Sequence, residues 1–83
     1  MKIKAQILKA LYESKDWLIV HDKDKSGMNF TVENINLIPD QDPRTKAEWR
    51  EAFLELYHKD YLERIDDICY RLTNAGRKIA EKL

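Results

Sequence analysis

The run "TKAEWREAFLELYHK", residues 45 to 59, is the feature that most constrains how this chain folds. Its large apolar residues recur at intervals of three and four, which places them on one face of a helix. These residues are Trp49, Ala52, Phe53 and Leu56. Thr45 is a suitable N-cap, and Glu48 follows at the spacing of a capping box. The run therefore predicts a long amphipathic helix that begins at Thr45.

The segment before this helix predicts one more helix and a hairpin. "IKAQILKALYES" carries apolar residues at helical spacing, namely Ile3, Ile7, Ala10 and Leu11, and predicts a first helix with one buried stripe. "WLIVH" and "MNFTV" flank the turn sequence "DKDKSG". Their Val, Ile, Phe and Thr content is typical of two short strands.

Two further segments complete the expected order of elements. "ENINLI" predicts a helical turn or two, and "PDQDP" then interrupts the helix because proline donates no amide hydrogen and restricts the residue before it. Beyond the long helix, "YLERI" and "ICYRL" read as two strands around the tight turn "DD". Thr73 is the expected N-cap of a last helix, on which Ile79 and Leu83 stand four residues apart.

Length and composition predict one small domain spanning residues 1 to 83. Hydrophobic residues make up 43% of the chain, enough for one core in a chain of this size. The single Cys69 cannot form an internal disulfide, which favours a reducing cytoplasm. No apolar run approaches the roughly 20 residues that span a bilayer, so we expect no membrane partner.

The charges cancel over the whole chain but are unevenly distributed. Residues 1 to 15 carry four lysines against Glu13, whereas residues 16 to 43 carry six acids against Lys23 and Lys25. A basic field over the whole protein, which would attract nucleic acid, is therefore not expected. Any contact with nucleic acid must depend on a local basic patch.

The segment "AEWREAFLELYHKDYLERIDDICYRLTNAGRKIAEKL" resembles the second half of a winged helix-turn-helix domain. Its most family-like part is "YRLTNAG", with Leu72, Thr73 and Gly76. The resemblance implies an α+β fold: a small winged-helix-like domain with three or four helices and a short β-hairpin wing. Asp60 departs from the family pattern, because such domains usually place glycine between the recognition helix and the wing.

The resemblance implies a DNA-binding transcriptional regulator that contacts double-stranded DNA. The basic residues near the start of the long helix and beside the wing are then the candidates for phosphate or base contacts. They are Arg44, Lys46, Arg50 and Arg64. The alternative is a solvated face of mixed charge, and the glutamates Glu48, Glu51 and Glu55 on the outward side would repel phosphate.

The second function consistent with this sequence is a winged helix used for protein contacts. A stripe beside the core stripe of the long helix consists of Ala47, Glu51, Leu54 and His58. An exposed Leu54 could meet a protein partner or a second copy in a homodimer. Equally, Leu54 could reach the hydrophobic core.

A third hypothesis concerns "DKDKSGMNFTVE", residues 22 to 33, which has the outline of a single calcium-binding loop. Side-chain oxygens at ligand positions come from Asp22, Asp24, Ser26 and Glu33, and Met28 offers a backbone carbonyl. Asn29 stands where a branched apolar residue usually couples two loops, and no second loop follows. The same residues are also favoured in ordinary hairpin turns.

Catalytic motifs are not evident in the sequence, and we expect a non-enzyme without a cofactor. His21 and His58 lack the local spacing of metal ligands. Cys69 and Ser14 lie in no recognisable nucleophile motif, and there is no phosphate-binding or dinucleotide-binding loop.

Overall fold

The computed structural model describes residues 2 to 25 and 27 to 83, which form three helices and five strands. In chain order the elements are α1 (Lys2–Glu13), β1 (Leu18–Asp24), β2 (Gly27–Val32), β3 (Ile35–Asn36), α2 (Pro43–His58), β4 (Leu62–Arg64), β5 (Cys69–Leu72) and α3 (Asn74–Glu81). The domain is therefore α+β. Within the described ranges, no helix is long and apolar enough to cross a lipid bilayer.

The strands form one antiparallel sheet in the order β3-β2-β1-β5-β4. The central strand β1 pairs with β2 along its second part, from Val20 to Asp24, and with β5 along its first part, from Leu18 to Val20. The two hairpins β1–β2 and β4–β5 consequently turn at the same end of the sheet. The backbone amide of His21 donates to the carbonyl of Ile68 at 2.7 Å, which extends this register towards the tip of the second hairpin.

Aromatic rings join α2 to the sheet. The ring of Phe53 on α2 lies 5.3 Å from that of Phe30 on β2 and 4.8 Å from that of Tyr70 on β5. Trp49, one helical turn earlier, lies 6.1 Å from Phe30. The predicted apolar stripe of α2 is confirmed, since Trp49, Ala52, Phe53 and Leu56 are all buried. Helix α1 is present as predicted and contributes the buried Ile7, Leu8 and Leu11. Ile7 and Leu11 belong to the predicted stripe, whose other members Ile3 and Ala10 are only partly buried, and Leu8 was not part of it.

The start of α2 differs from the prediction. The N-cap is Asp42 rather than Thr45, and its carboxylate accepts a hydrogen bond of 2.9 Å from the amide of Arg44. Pro43 occupies the first helical position, where a missing amide hydrogen costs nothing and a fixed φ suits the helix. Pro43, which the sequence predicts to interrupt a helix, therefore begins one instead.

The helical turn expected over "ENINLI" is also wrong. Glu33 and Asn34 have left-handed φ values of 49° and 69°, and they form the two-residue turn that leads β2 into β3. Two consecutive positive φ values are typical of the primed turns of tight hairpins. The described part of the chain therefore has three helices, and β3 and an extended segment precede α2 in place of the fourth.

The other predicted elements are confirmed. The expected hairpin at "WLIVH" and "MNFTV" is β1–β2, although β1 continues to Asp24 and β2 starts at Gly27. The expected second hairpin is β4–β5. Thr73 caps α3, because its hydroxyl oxygen accepts from the amide of Gly76 at 3.0 Å. The helix ends at Glu81, so Leu83, expected on it with Ile79, lies beyond its end.

Candidate functional site

A groove of about 330 Å³ lies between the tip of the β1–β2 hairpin and the first two turns of α2. We call it the hairpin groove. Its walls are formed by Lys23, Asp24, Gly27, Met28, Pro43, Lys46, Ala47 and Arg50. Two of the four basic residues selected from the sequence, Lys46 and Arg50, thus meet on one surface, and Lys23 joins them from the hairpin.

The cations of the hairpin groove form no ion pair with another described residue. The ion pairs that the structure describes are Lys4–Glu55, Arg64–Asp67 and Arg71–Glu63, and none of them includes Lys23, Lys46 or Arg50. Asp24 is the one acid in the groove wall, and it accepts a hydrogen bond of 3.1 Å from the side chain of Asn29. The groove therefore carries a local excess of positive charge on a chain whose net charge is zero.

The remaining two basic candidates lie elsewhere. Arg44 is exposed in the first turn of α2, close to the groove along the chain but not part of its wall. Arg64 is on the edge strand β4 and lines a different groove, together with Tyr57 and His58. Its guanidinium pairs with Asp67 at 3.1 Å and donates to the carbonyl of Asp66 at 3.1 Å.

The proposed contact stripe of α2 lies fully on the surface, because Ala47, Glu51, Leu54 and His58 are all exposed. Leu54 is 43% exposed and does not join the core. Ile68, opposite His21 at the tip of the second hairpin, is 44% exposed. The glutamates expected to face solvent, Glu48, Glu51 and Glu55, do so.

The candidate calcium ligands are dispersed by the hairpin. Asp22 and Asp24 belong to β1, and the carbonyl of Met28 accepts a hydrogen bond from the side chain of Gln41. The carboxylate of Glu33 accepts from the amide of Lys15 at 2.8 Å, and Ser26 lies outside the described residues. Over residues 2 to 25 and 27 to 83, no group of three His, Cys, Asp or Glu side chains is placed to hold a metal ion.

Two titratable groups near the core have shifted pKa values. Burial lowers the pKa of His21, whose ring stacks on Phe30 at 4.3 Å, although a hydrogen bond to the carbonyl of Asn29 partly offsets the effect. Burial raises the pKa of the Cys69 thiol, and the negative charge of Asp66 adds to this. A raised pKa keeps Cys69 in the thiol form, which is the less nucleophilic state.

A second groove, of about 690 Å³, surrounds Trp17 and was not anticipated from the sequence. Trp17 has a left-handed φ of 58°, uncommon for so bulky a residue, and the guanidinium of Arg77 lies 4.1 Å from the centre of its ring. Arg71, another cation of this groove, is bound to Glu63. Arg77 and Arg71 of this second groove are thus already engaged within the fold, whereas the described ion pairs include no cation of the hairpin groove.

Comparison of the chain with protein-family models, with curated proteins and with solved structures finds no match. The candidate site is therefore defined by its geometry alone. It is a small groove whose three cations come from two separate elements and form none of the ion pairs described in residues 2 to 25 and 27 to 83.

Proposed function

We propose that this domain is a non-enzymatic module that binds double-stranded DNA through the hairpin groove, the function implied by its resemblance to winged helix-turn-helix domains. The observation that carries the proposal is the convergence of Lys23, Lys46 and Arg50, from a hairpin tip and a helix, without carboxylate partners among the described residues. Cations so placed can bind two or more backbone phosphates and release their counterions.

The proposed mode is contact with the phosphate backbone rather than reading of bases by α2. A helix-turn-helix places a supporting helix directly before the recognition helix, and here β3 and an extended segment occupy that position. Helix α2 also exposes Glu48, which lies between Lys46 and Arg50 along the chain but outside the groove wall, and Glu51 and Glu55 farther along. These carboxylates would face phosphates if the helix entered a groove of DNA. Only the first turns of α2 and the hairpin tip are therefore assigned to DNA.

Fluorescence anisotropy with a labelled duplex tests this proposal. We expect weak binding, with a dissociation constant on the order of 10⁻⁴ to 10⁻⁶ M. Between about 50 and 200 mM salt, a plot of log affinity against log salt should have a slope of about −3, as three phosphate contacts require. Useful affinity would then need a dimer that doubles the footprint.

Charge reversal at two different lysines distinguishes DNA binding at a local site from DNA binding that depends only on net charge. Lys46→Glu should weaken duplex binding by at least about tenfold and make the salt slope shallower. Lys78→Glu makes the same change of charge at an exposed residue of α3, outside the hairpin groove, and should bind almost as the parent does. Equal losses in both variants, or no binding at the lowest salt, would contradict the proposal.

A second function, protein contact through α2, is favoured by the exposure of Leu54 in the middle of its stripe. The stripe can meet a partner or a second copy without disturbing the core, because none of its four residues is buried. Leu54→Asp should then abolish any concentration-dependent association seen in sedimentation while leaving the circular dichroism spectrum unchanged. Ile35→Asp is the matched control, since Ile35 is 65% exposed on the far edge strand β3.

A further inference from the structure

A small apolar groove of about 180 Å³ lies where the three helices approach one another, on the side of α2 that faces α1. We call it the helix-end groove. Leu8 and Leu56 are buried in its floor, and Ile79 and Leu83 come from α3 and the residues after it. Leu83 is 57% exposed, so an apolar side chain at this groove remains in contact with water.

The size and lining of the helix-end groove limit what it can hold. Sites for drug-sized molecules and cofactors usually occupy about 300 to 1,000 Å³, which is larger than this groove. A volume of about 180 Å³ suits one or two apolar side chains instead. Protein interfaces commonly depend on a few such anchoring side chains in a pocket.

Two lysines line the apolar floor. Lys4 is on α1, and Lys59 directly follows α2. The ammonium group of Lys4 is bound to Glu55 at 3.1 Å, whereas Lys59 is exposed and forms none of the described ion pairs. The hydrogen bond and charge of Lys4 lower the pKa of Glu55, and the charge of Lys59 adds to this at longer range. Two more exposed lysines lie close along the chain to residues of the groove wall. Lys2 is at the start of α1, near Lys4, and Lys82 directly follows α3, next to Leu83.

We propose that the helix-end groove receives an apolar side chain from an acidic amphipathic helix of a partner protein. Helix-in-groove recognition places apolar anchors at intervals of three and four residues along one face of the partner. Carboxylates that flank those anchors would meet Lys59 and Lys4, the two charged residues of the groove wall, so the charges are complementary. This surface lies away from the hairpin groove, so the inference does not depend on DNA binding.

A designed peptide serves as the probe. It is helical, with leucines along one face and glutamates on either side of them; a matched peptide carries lysines in place of the glutamates. Titration into the isotope-labelled full chain should shift the backbone amides of Ala5, Lys59 and Ile79 saturably. The acidic peptide should bind at least about tenfold more tightly than the basic one.

Charge reversal at Lys59 tests the same pairing between peptide carboxylates and protein lysines. Lys59→Glu should lower the affinity for the acidic peptide by about tenfold and raise the affinity for the basic peptide. Lys25→Glu, an exposed residue in the turn of the first hairpin, is the matched control and should leave both affinities unchanged. A fold check by circular dichroism accompanies each variant.

Three outcomes would overturn the inference. The first is the absence of saturable shifts at the helix-end groove with millimolar peptide. The second is equal affinity for the acidic and basic peptides. The third is binding of decanoate but not of the acidic peptide at these residues, which would assign the groove to an aliphatic carboxylate.

Discussion

The side-chain amide of Gln41 pairs with the backbone of Met28 as a neighbouring strand would. Its Nε2 donates to the carbonyl of Met28 at 2.9 Å, and its Oε1 accepts from the amide of Met28 at 2.9 Å. The edge strand β3 pairs only with the end of β2, at Thr31 and Val32, so Gln41 completes the ladder near the start of β2. Because Asp42 follows directly as the N-cap of α2, this pairing also sets the helix beside the hairpin tip.

Gln41→Ala should lower the free energy of unfolding by about 1 to 2 kcal/mol, because two hydrogen bonds are lost and Met28 is largely buried. Urea denaturation measures the change. Asn29→Ala is a comparison on the same strand that leaves the Gln41 pairing intact. A loss no larger than a few tenths of a kcal/mol would show that water replaces the amide without cost.

Gly27→Ala should destabilise the fold by about 1 to 3 kcal/mol for two separate reasons. Gly27 has a φ of 127°, which residues with a Cβ rarely adopt, and an added Cβ would overlap the side chain of Gln41. In the double variant with Gln41→Ala the overlap disappears and the strain remains. We therefore expect the double variant to be less destabilised than the sum of the two single variants.

His21 should make stability fall in mild acid. Burial holds its pKa in the folded state below the ordinary value of 6.5, so the unfolded chain binds the proton more readily. The contribution of neutral His21 to the free energy of unfolding is fully present above about pH 6.5. It is lost as pH falls towards the folded-state pKa. Denaturation at a series of pH values should show this slope in the parent and in His58→Gln, which replaces an exposed histidine. His21→Phe should flatten it; an unchanged slope in His21→Phe would refute the assignment.

Thr73→Ala should cost about 1 to 2 kcal/mol, because one hydroxyl serves two elements. It accepts from the amide of Gly76, which caps α3, and donates to the carbonyl of Asp60 at 2.6 Å, which fixes the turn after α2. Thr73→Ser keeps the hydroxyl and should recover most of the stability in the same urea experiment. Equal losses in both variants would mean that the methyl group, not the hydroxyl, matters.

Asp60→Gly should stabilise the protein by up to about 1 kcal/mol. Asp60 has a left-handed φ of 63°, a conformation that glycine adopts without steric cost. Its carbonyl, which accepts from Thr73, is kept in the variant. Asp60→Val should destabilise by about 1 to 2 kcal/mol, since a β-branched residue tolerates this region least. Thermal melts rank the three chains, and a melting order other than Gly, Asp, Val would contradict the prediction.

Local patterns predicted the elements well where a single periodicity governs a segment. The buried stripe from Trp49 to Leu56, the two hairpins and the cap at Thr73 all follow from residues close in sequence. The predictions that are wrong concern segments whose residues suit two different structures. Asp42 and Pro43 can end a segment or begin a helix, and Glu33 with Asn34 can start a helical turn or a tight hairpin.

The candidate site was predicted only in part, because it is assembled by packing between distant segments. Lys46 and Arg50 could be selected from their place near the start of a helix. Lys23 could not be added to them, since nothing local indicates that the first hairpin meets α2. Whether a surface cation is already paired, as Arg64 is with Asp67, also depends on the folded arrangement.

The central position of β1 has a consequence for how the chain acquires its fold. Its partner β2 follows after a single turn, whereas its partner β5 lies far along the sequence, so closing the second pairing costs more chain entropy. The first hairpin should therefore form early, and one edge of β1 should remain unpaired until β5 joins the sheet. A fragment that ends before Cys69 would keep that edge open at Leu18, Ile19 and Val20, and it should aggregate by strand pairing. With the second hairpin in place, β5 covers this edge of β1.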